Sequence, residues 1–238
     1  MKAVAALALL FSWGLAQAEP ASERYEFRAA HDPDGIGKFY LGREIAHVMG
    51  PGGIVWLERE ERETEEQPLL VIDALEIKPG QTIADLGAGS GYYSFRIAPL
   101  VGPSGKVLAI DIEPAMLEVI AQRASRERVA NVVTVRSSAR DPNLAPGSVD
   151  LLFMVDVYHE LEYPYEVMTK VRAALQPGGR VALVEYRAED PKVAIKPLHK
   201  MSERQVRREM EAAGFRHVKT VRTLPLQHLI LFESGSPP

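Results

Sequence analysis

The sequence predicts an α/β fold: a doubly wound sheet of seven strands, mostly parallel, that ends in an antiparallel hairpin. From Pro68 onward, short β-branched apolar runs alternate with segments of helical periodicity, the pattern of a parallel sheet covered on both faces. The first of these runs leads into a glycine-rich turn that opens a helix. The last two runs are joined too tightly for a crossover connection, so they must pair antiparallel. At 238 residues the chain suffices for one such domain with a small accessory segment.

The elements follow in order. Lys2, an apolar run over residues 3–16 and Ala16-Gln17-Ala18 before Glu19-Pro20 form a secretory signal-peptide pattern, too short to span a bilayer comfortably. Cleavage is expected after Ala18, giving an exported, periplasmic protein with no stable membrane span; an uncleaved tether is the alternative. Residues 19–35 are polar and read as a loosely held leader. Apolar residues at near-helical spacing over 36–49 predict a helix, stopped by Gly50-Pro51-Gly52-Gly53. The Glu- and Arg-rich stretch 58–66 reads as a solvated helix face with i,i+3 and i,i+4 pairs. Residues 19–67 thus form a leader and helical cap ahead of a domain over 68–234, with residues 235–238 as a tail.

Within the domain, a helix is expected over 69–77, a strand over 82–86 and a helix over 91–100. A second strand follows over 106–110, then a helix from Pro114, a residue suited to a first helical turn, to about Ala124. Residues 132–135, 149–155 and 181–184 supply three more strands, with a helix over 164–175 before the last. An amphipathic helix over 202–213 stops at Gly214. Strands over 217–224 and 227–233, turning at Pro225, complete the seven.

Composition narrows the function. A formal net charge of -4 lacks the basic excess that a protein gripping a phosphate backbone needs, so no nucleic-acid partner is expected. With no cysteine, disulfides, thiolate nucleophiles and cysteine-bound metal centres are excluded. The six histidines show no H-E-x-x-H spacing, so the sequence implies no metal. Oligomeric state is not legible.

The most informative stretch is Ile83-Ala84-Asp85-Leu86-Gly87-Ala88-Gly89-Ser90-Gly91-Tyr92-Tyr93. A strand runs into glycines at i, i+2 and i+4 and then into a helix, so backbone can approach a ligand where any Cβ would obstruct it. Asp111 ends the second strand, where a carboxylate can accept hydrogen bonds from a ribose diol. A nicotinamide-binding loop would read G-x-G-x-x-G and serve a pyrophosphate; this loop reads G-x-G-x-G and carries Asp85 just before it. A carboxylate there suits a cationic ligand. The bland reading of Asp85 and Asp111 is turn and cap residues.

Asp85-x-Gly87-x-Gly89-x-Gly91 resembles motif I of class I, Rossmann-like S-adenosylmethionine-dependent methyltransferases. Ala109-Ile110-Asp111-Ile112-Glu113-Pro114-Ala115-Met116-Leu117 is similar to the ubiquinone and menaquinone methyltransferase group, and Leu175-Gln176-Pro177-Gly178-Gly179-Arg180 resembles that group's turn before the fifth strand. The resemblance implies S-adenosylmethionine as cofactor and a small-molecule methyl acceptor. It places Asp85, Gly87, Ala88, Gly89 and Gly91 around the methionine part, Asp111 on the ribose and Ile112 on adenine. The family's polar contact to the adenine amino group falls in 137–141, where the usual acid is missing; the Ala139 backbone or Asp141 stands in. Tyr93, with Tyr92, either flanks the cofactor or packs in the core.

The fourth strand ends in Met154-Val155-Asp156-Val157-Tyr158-His159-Glu160, which a doubly wound sheet brings to its crevice. Asp156, Tyr158 and His159 are the candidates for the acceptor site, Asp156 also for the cofactor. His159 is the candidate general base because imidazole titrates near neutrality; equally, His159 and Glu160 serve as loop caps. Arg43 and His47, one helical turn apart, belong either to a lid or to a solvated face. Two other readings stand beside a methyltransferase: an exported S-adenosylmethionine-binding protein without transferase activity, and a nicotinamide-dependent oxidoreductase.

Overall fold

The computed structural model describes residues 24–235. The signal-peptide expectation over 1–18 and most of the tail fall outside the described residues.

The central sheet has seven strands: β4 (Thr82–Leu86), β5 (Lys106–Asp111), β6 (Val132–Arg136), β7 (Val149–Val155), β8 (Leu175–Tyr186), β9 (Phe215–Val221) and β10 (Gln227–Ser234). Their spatial order is β6-β5-β4-β7-β8-β10-β9. β4, β5, β6, β7 and β8 pair parallel, and β10 inserts antiparallel between β8 and β9. The chain order reverses between β4 and β7, the switch point at which such sheets open a crevice.

Successive residues of a strand point to opposite faces, and here both faces are covered, so β7 is apolar without interruption from Leu151 to Val155. Leu151 and Phe153 join a cluster under α3 (Pro68–Leu75), α4 (Tyr92–Val101) and α5 (Pro114–Glu127), with Leu75, Ile97 and Ile120. Leu152 and Met154 face the opposite cluster under α6 (Pro164–Ala174) and α7 (Glu203–Ala212), with Val171, Val206 and Met210. Pro68, Pro114 and Pro164 each occupy a first helical turn, where their missing N–H costs nothing. Ser202 caps α7, its hydroxyl accepting from Gln205 N at 3.1 Å. Gln176-Pro177-Gly178-Gly179 does not end the helix before a fresh strand but lies inside β8 as a break in its register with β7.

The N-terminal region departs from expectation. Residues 36–49 form no helix. β1 (Tyr25–Phe27), β2 (Gly35–Tyr40) and β3 (Arg43–Ala46) make a separate antiparallel sheet of order β1-β2-β3. β2 turns into β3 through Leu41 and Gly42, both at positive φ, which is the geometry a two-residue hairpin requires. Order also begins earlier than predicted, because Tyr25 is buried against Tyr40 and Ile45. Lys38 is buried too. Its ammonium donates to the Glu162 carbonyl at 2.6 Å and lies 3.1 Å from the Tyr163 ring centre, and burial lowers its pKa to about 8. Arg43 is not solvated either: its guanidinium makes a two-pronged pair with Glu209 of α7, at 2.7 and 2.9 Å. Two short helices, α1 (Ile54–Leu57) and α2 (Arg62–Glu65) in chain order before α3, then cross above the sheet's crevice.

Candidate active site

A cavity of about 630 Å³ opens at the C-terminal ends of β4, β5 and β7, within the usual range for small-molecule sites. Its floor is the turn from β4 into α4. Gly87 and Ala88 donate their N–H groups to the Ile110 carbonyl at 2.8 and 2.9 Å, which folds the loop back on β5. Gly87 and Gly89 sit at φ 76° and 55°. A Cβ on Gly87 would lie 2.5 Å from the Val157 side chain, and one on Gly89 2.7 Å from Leu57. A side chain at Gly87 would be blocked by Val157 in a left-handed backbone, and one at Gly89 would displace Leu57 from over the floor.

Asp111 closes β5 at the rim. One carboxylate oxygen accepts from Gly89 N at 2.9 Å and the other from Glu113 N at 2.9 Å, so the side chain is fixed while each oxygen keeps a lone pair for a ligand. Burial raises its pKa. Ile112 and Ala139 line the cavity beside it. Asp85, Ala88, Gly91 and Tyr93 do not; they stand behind the wall. Asp85 is 4% exposed and accepts the Ser94 hydroxyl at 2.6 Å, and burial pushes its pKa up to about 7. Tyr93 packs edge-on against Phe153 in the core.

At the far end, Asp156 follows β7 in a left-handed conformation, φ 55°, which for a non-glycine residue marks local strain. Gln227 Nε2 donates to one of its oxygens at 2.7 Å; the other is buried with no hydrogen-bond partner among the described residues. Burial, with Glu66 and Glu185 nearby, raises its pKa well above the ordinary range. Tyr158 is fully buried and does not reach the cavity.

His159 does reach it. Its Nδ1 lies 2.7 Å from Glu185, a wholly buried carboxylate on β8, and its Nε2 lies 3.1 Å from His199 Nδ1. Glu160 Oε1 completes a triangle, 3.8 Å from His159 Nε2 and 3.6 Å from His199 Nδ1. The Arg43 guanidinium donates to the His159 carbonyl at 2.9 Å, so the small N-terminal sheet holds this turn in place. His47, also at the cavity, extends from the end of β3 and not from a helix.

The roof is what sequence reasoning missed. The stretch 58–66, expected to be solvated, buries Arg62 and Glu66 at 4% and 1% exposure. Glu66 accepts from Arg62 Nε at 2.8 Å, Arg59 Nη2 at 2.8 Å and the Tyr186 hydroxyl at 2.9 Å. Leu57 rests over Gly89, the Ser90 hydroxyl donates to Glu58, and the Tyr92 hydroxyl donates to Glu63 at 2.6 Å. Trp56, Arg62 and Glu66 line the cavity from above. The carboxyls of Glu66, Asp111, Asp156 and Glu160 thus surround a space whose roof supplies Arg62 as a counter-charge already engaged by Glu66. With Glu66 paired to Arg62 and burial holding the Asp156 pKa well above the ordinary range, Asp111 and Glu160 are the carboxyls left to meet a cationic ligand.

A family model described as a methyltransferase domain matches residues 77–223. An uncharacterized 37.1 kDa protein in a transposon of Streptomyces fradiae is 32% identical over 119 residues, 49% of this chain and 33% of that protein. Demethylmenaquinone methyltransferase of Lactococcus lactis is 30% identical over 106 residues, 44% of this chain and 42% of that protein. The chain therefore spans less than half the length of either relative. The structure is similar to that of an S-adenosylmethionine-dependent methyltransferase from Aquifex aeolicus, with a TM-score of 0.73 and 25% identity over 78% of this chain and 98% of that one.

Proposed function

Because this chain belongs to the methyltransferase domain family, whose cofactor is S-adenosylmethionine, we propose that it methylates a small-molecule acceptor held between the glycine floor and His159. The observation that carries this reading is the pairing of left-handed Gly87 and Gly89 with the fixed Asp111 carboxylate at the mouth of a cavity that runs on to His159. These residues fit the cofactor. The floor lets a ligand touch backbone, Asp111 has free lone pairs for two hydroxyls, Ile112 offers an apolar face, and the buried Asp156 oxygen that lacks a partner among the described residues awaits a donor.

When bound, S-adenosylmethionine supplies an electrophilic methyl group on a sulfonium. The protein's share is placement. Gly87, Gly89 and Asp111 fix the donor end, and Trp56, Leu57 and Arg62 cover it from above. Glu185 orients His159 by accepting from its Nδ1, which leaves Nε2, paired with His199 at 3.1 Å, as the nitrogen that receives a proton from the acceptor once the acceptor displaces His199. A volume of about 630 Å³ shared by donor and acceptor keeps the acceptor small.

Two measurements test the reading. Calorimetry should show S-adenosylmethionine and S-adenosylhomocysteine binding at one site per chain. Incubation with methyl-labelled cofactor and a small-molecule extract should then move label into product. Binding without any transfer would favour a protein that carries the nucleoside and does no chemistry on it; no binding would end the proposal. The signal-like pattern over 1–18 supports export as part of the same proposal. Protein recovered from its host should then begin at Glu19, and an intact Met1 on it would reject export by cleavage.

A further inference from the structure

We propose that His159, Glu160 and His199 form a binding site for one divalent metal ion of the zinc class at the acceptor end of the cavity. The three donor atoms stand 3.1, 3.6 and 3.8 Å apart. Ligands around a tetrahedral ion with bonds of about 2.0–2.1 Å are separated by about 3.3 Å, so an ion fits among these atoms with shifts of a few tenths of an ångström. Sequence spacing conceals the set, because His199 arrives from a 3-10 turn, Pro197–His199, far along the chain.

Two of the three ligands, His159 and Glu160, are already aimed. His159 Nδ1 is taken by the buried Glu185, which fixes the tautomer and leaves the Nε2 lone pair pointing at His199, as in carboxylate–histidine–metal arrangements. Glu160 Oε2 accepts from Met49 N at 3.2 Å, which turns Oε1 toward the two rings. The Arg43–Glu209 pair clamps the His159 backbone from behind. A site supported this way is preorganised, which is where metal affinity comes from.

Two imidazoles and one carboxylate, with no thiolate, select zinc, cobalt or nickel over magnesium or calcium. Three protein ligands leave at least one open coordination position, and it faces the cavity. On the methyltransferase reading, that position would take an oxygen or nitrogen of the acceptor, so the ion would both anchor the acceptor and choose acceptors bearing such an atom. In the loaded form His159 Nε2 is a ligand and not a base.

The test uses the full chain, stripped with chelator and titrated with cobalt(II), then zinc. One equivalent of cobalt should bind with a visible absorption band that zinc abolishes. His199→Ala and Glu160→Gln should each weaken binding by at least about tenfold. Both side chains are only partly buried, so both variants should fold, which circular dichroism verifies. Absence of bound cobalt would overturn the proposal, and so would binding of equal strength in both variants, which would leave His159 and His199 as a plain hydrogen-bonded pair. S-adenosylhomocysteine affinity, measured on the same samples, reports on the methyltransferase reading independently: nucleoside binding without metal rejects this inference alone.

Discussion

Replacing Asp85 by asparagine should change how the protein's stability depends on pH. Asp85 lies beneath the glycine loop, and burial raises its pKa from the ordinary 3.8 to about 7. In the unfolded chain it ionises near 3.8. Between those values the folded protein keeps a proton that the unfolded chain has released, so the stability contributed by this side chain is complete below about pH 4 and is lost as pH rises through about 7. At about 1.4 kcal/mol per pH unit, the loss comes to about 4 kcal/mol. Asparagine keeps an oxygen to accept the Ser94 hydroxyl and never ionises. Titrating groups other than Asp111, whose charge interacts with Asp85, are common to both proteins and cancel in the difference. The variant should therefore match the parent near pH 4 and exceed it by up to about 4 kcal/mol near pH 8, read by urea unfolding at several pH values. A stability difference that stays constant within about 1 kcal/mol across that range would refute the argument that a buried carboxylate under the loop bears this cost.

Other substitutions probe the rest of the site. Gly87→Ala forces a side chain into a left-handed backbone and against Val157, so it should cost about 2 kcal/mol in unfolding experiments and lower S-adenosylhomocysteine affinity in calorimetry. Arg43→Ala leaves Glu209 charged and buried, a loss of about 3–5 kcal/mol, whereas Arg43→Met combined with Glu209→Leu should recover most of it. His159→Gln should reduce the rate of methyl transfer by about 10²- to 10⁴-fold while S-adenosylhomocysteine binds as before, a split that a merely structural histidine would not produce.

The doubly wound sheet was legible because its evidence is local. Strand, glycine turn and helix follow one another within residues 82–101, and their spacing survives without knowledge of anything distant. The N-terminal hairpin was not legible for the opposite reason. Its turn is Leu41-Gly42, which lacks the Asn or Asp that usually announces such turns, and the apolar residues on either side fall at intervals that also suit a helix. Arg62 and Glu66 pair at i,i+4 whether they face water or a cavity, so the sequence could not say which; the decision lies with Tyr186, contributed by a strand at the far end of the chain. His199 is the clearest case. Nothing around it in sequence marks it, and only the fold carries it to His159. Asp85 shows the converse: the motif that drew attention to it is real, yet the side chain acts from behind the cavity wall.

The lining above the cavity is fastened to the floor by side chains: Leu57 on Gly89, Glu58 on Ser90, Glu63 on Tyr92. None of these links is a rung of the central sheet, so they can part and re-form while every strand stays paired. On the proposed function, exchange of small molecules would then proceed on the schedule of loop motion and not of unfolding. Rigidity and access would fall to different parts of one chain, and stiffening the sheet by mutation should leave the rate of nucleoside binding and release unchanged.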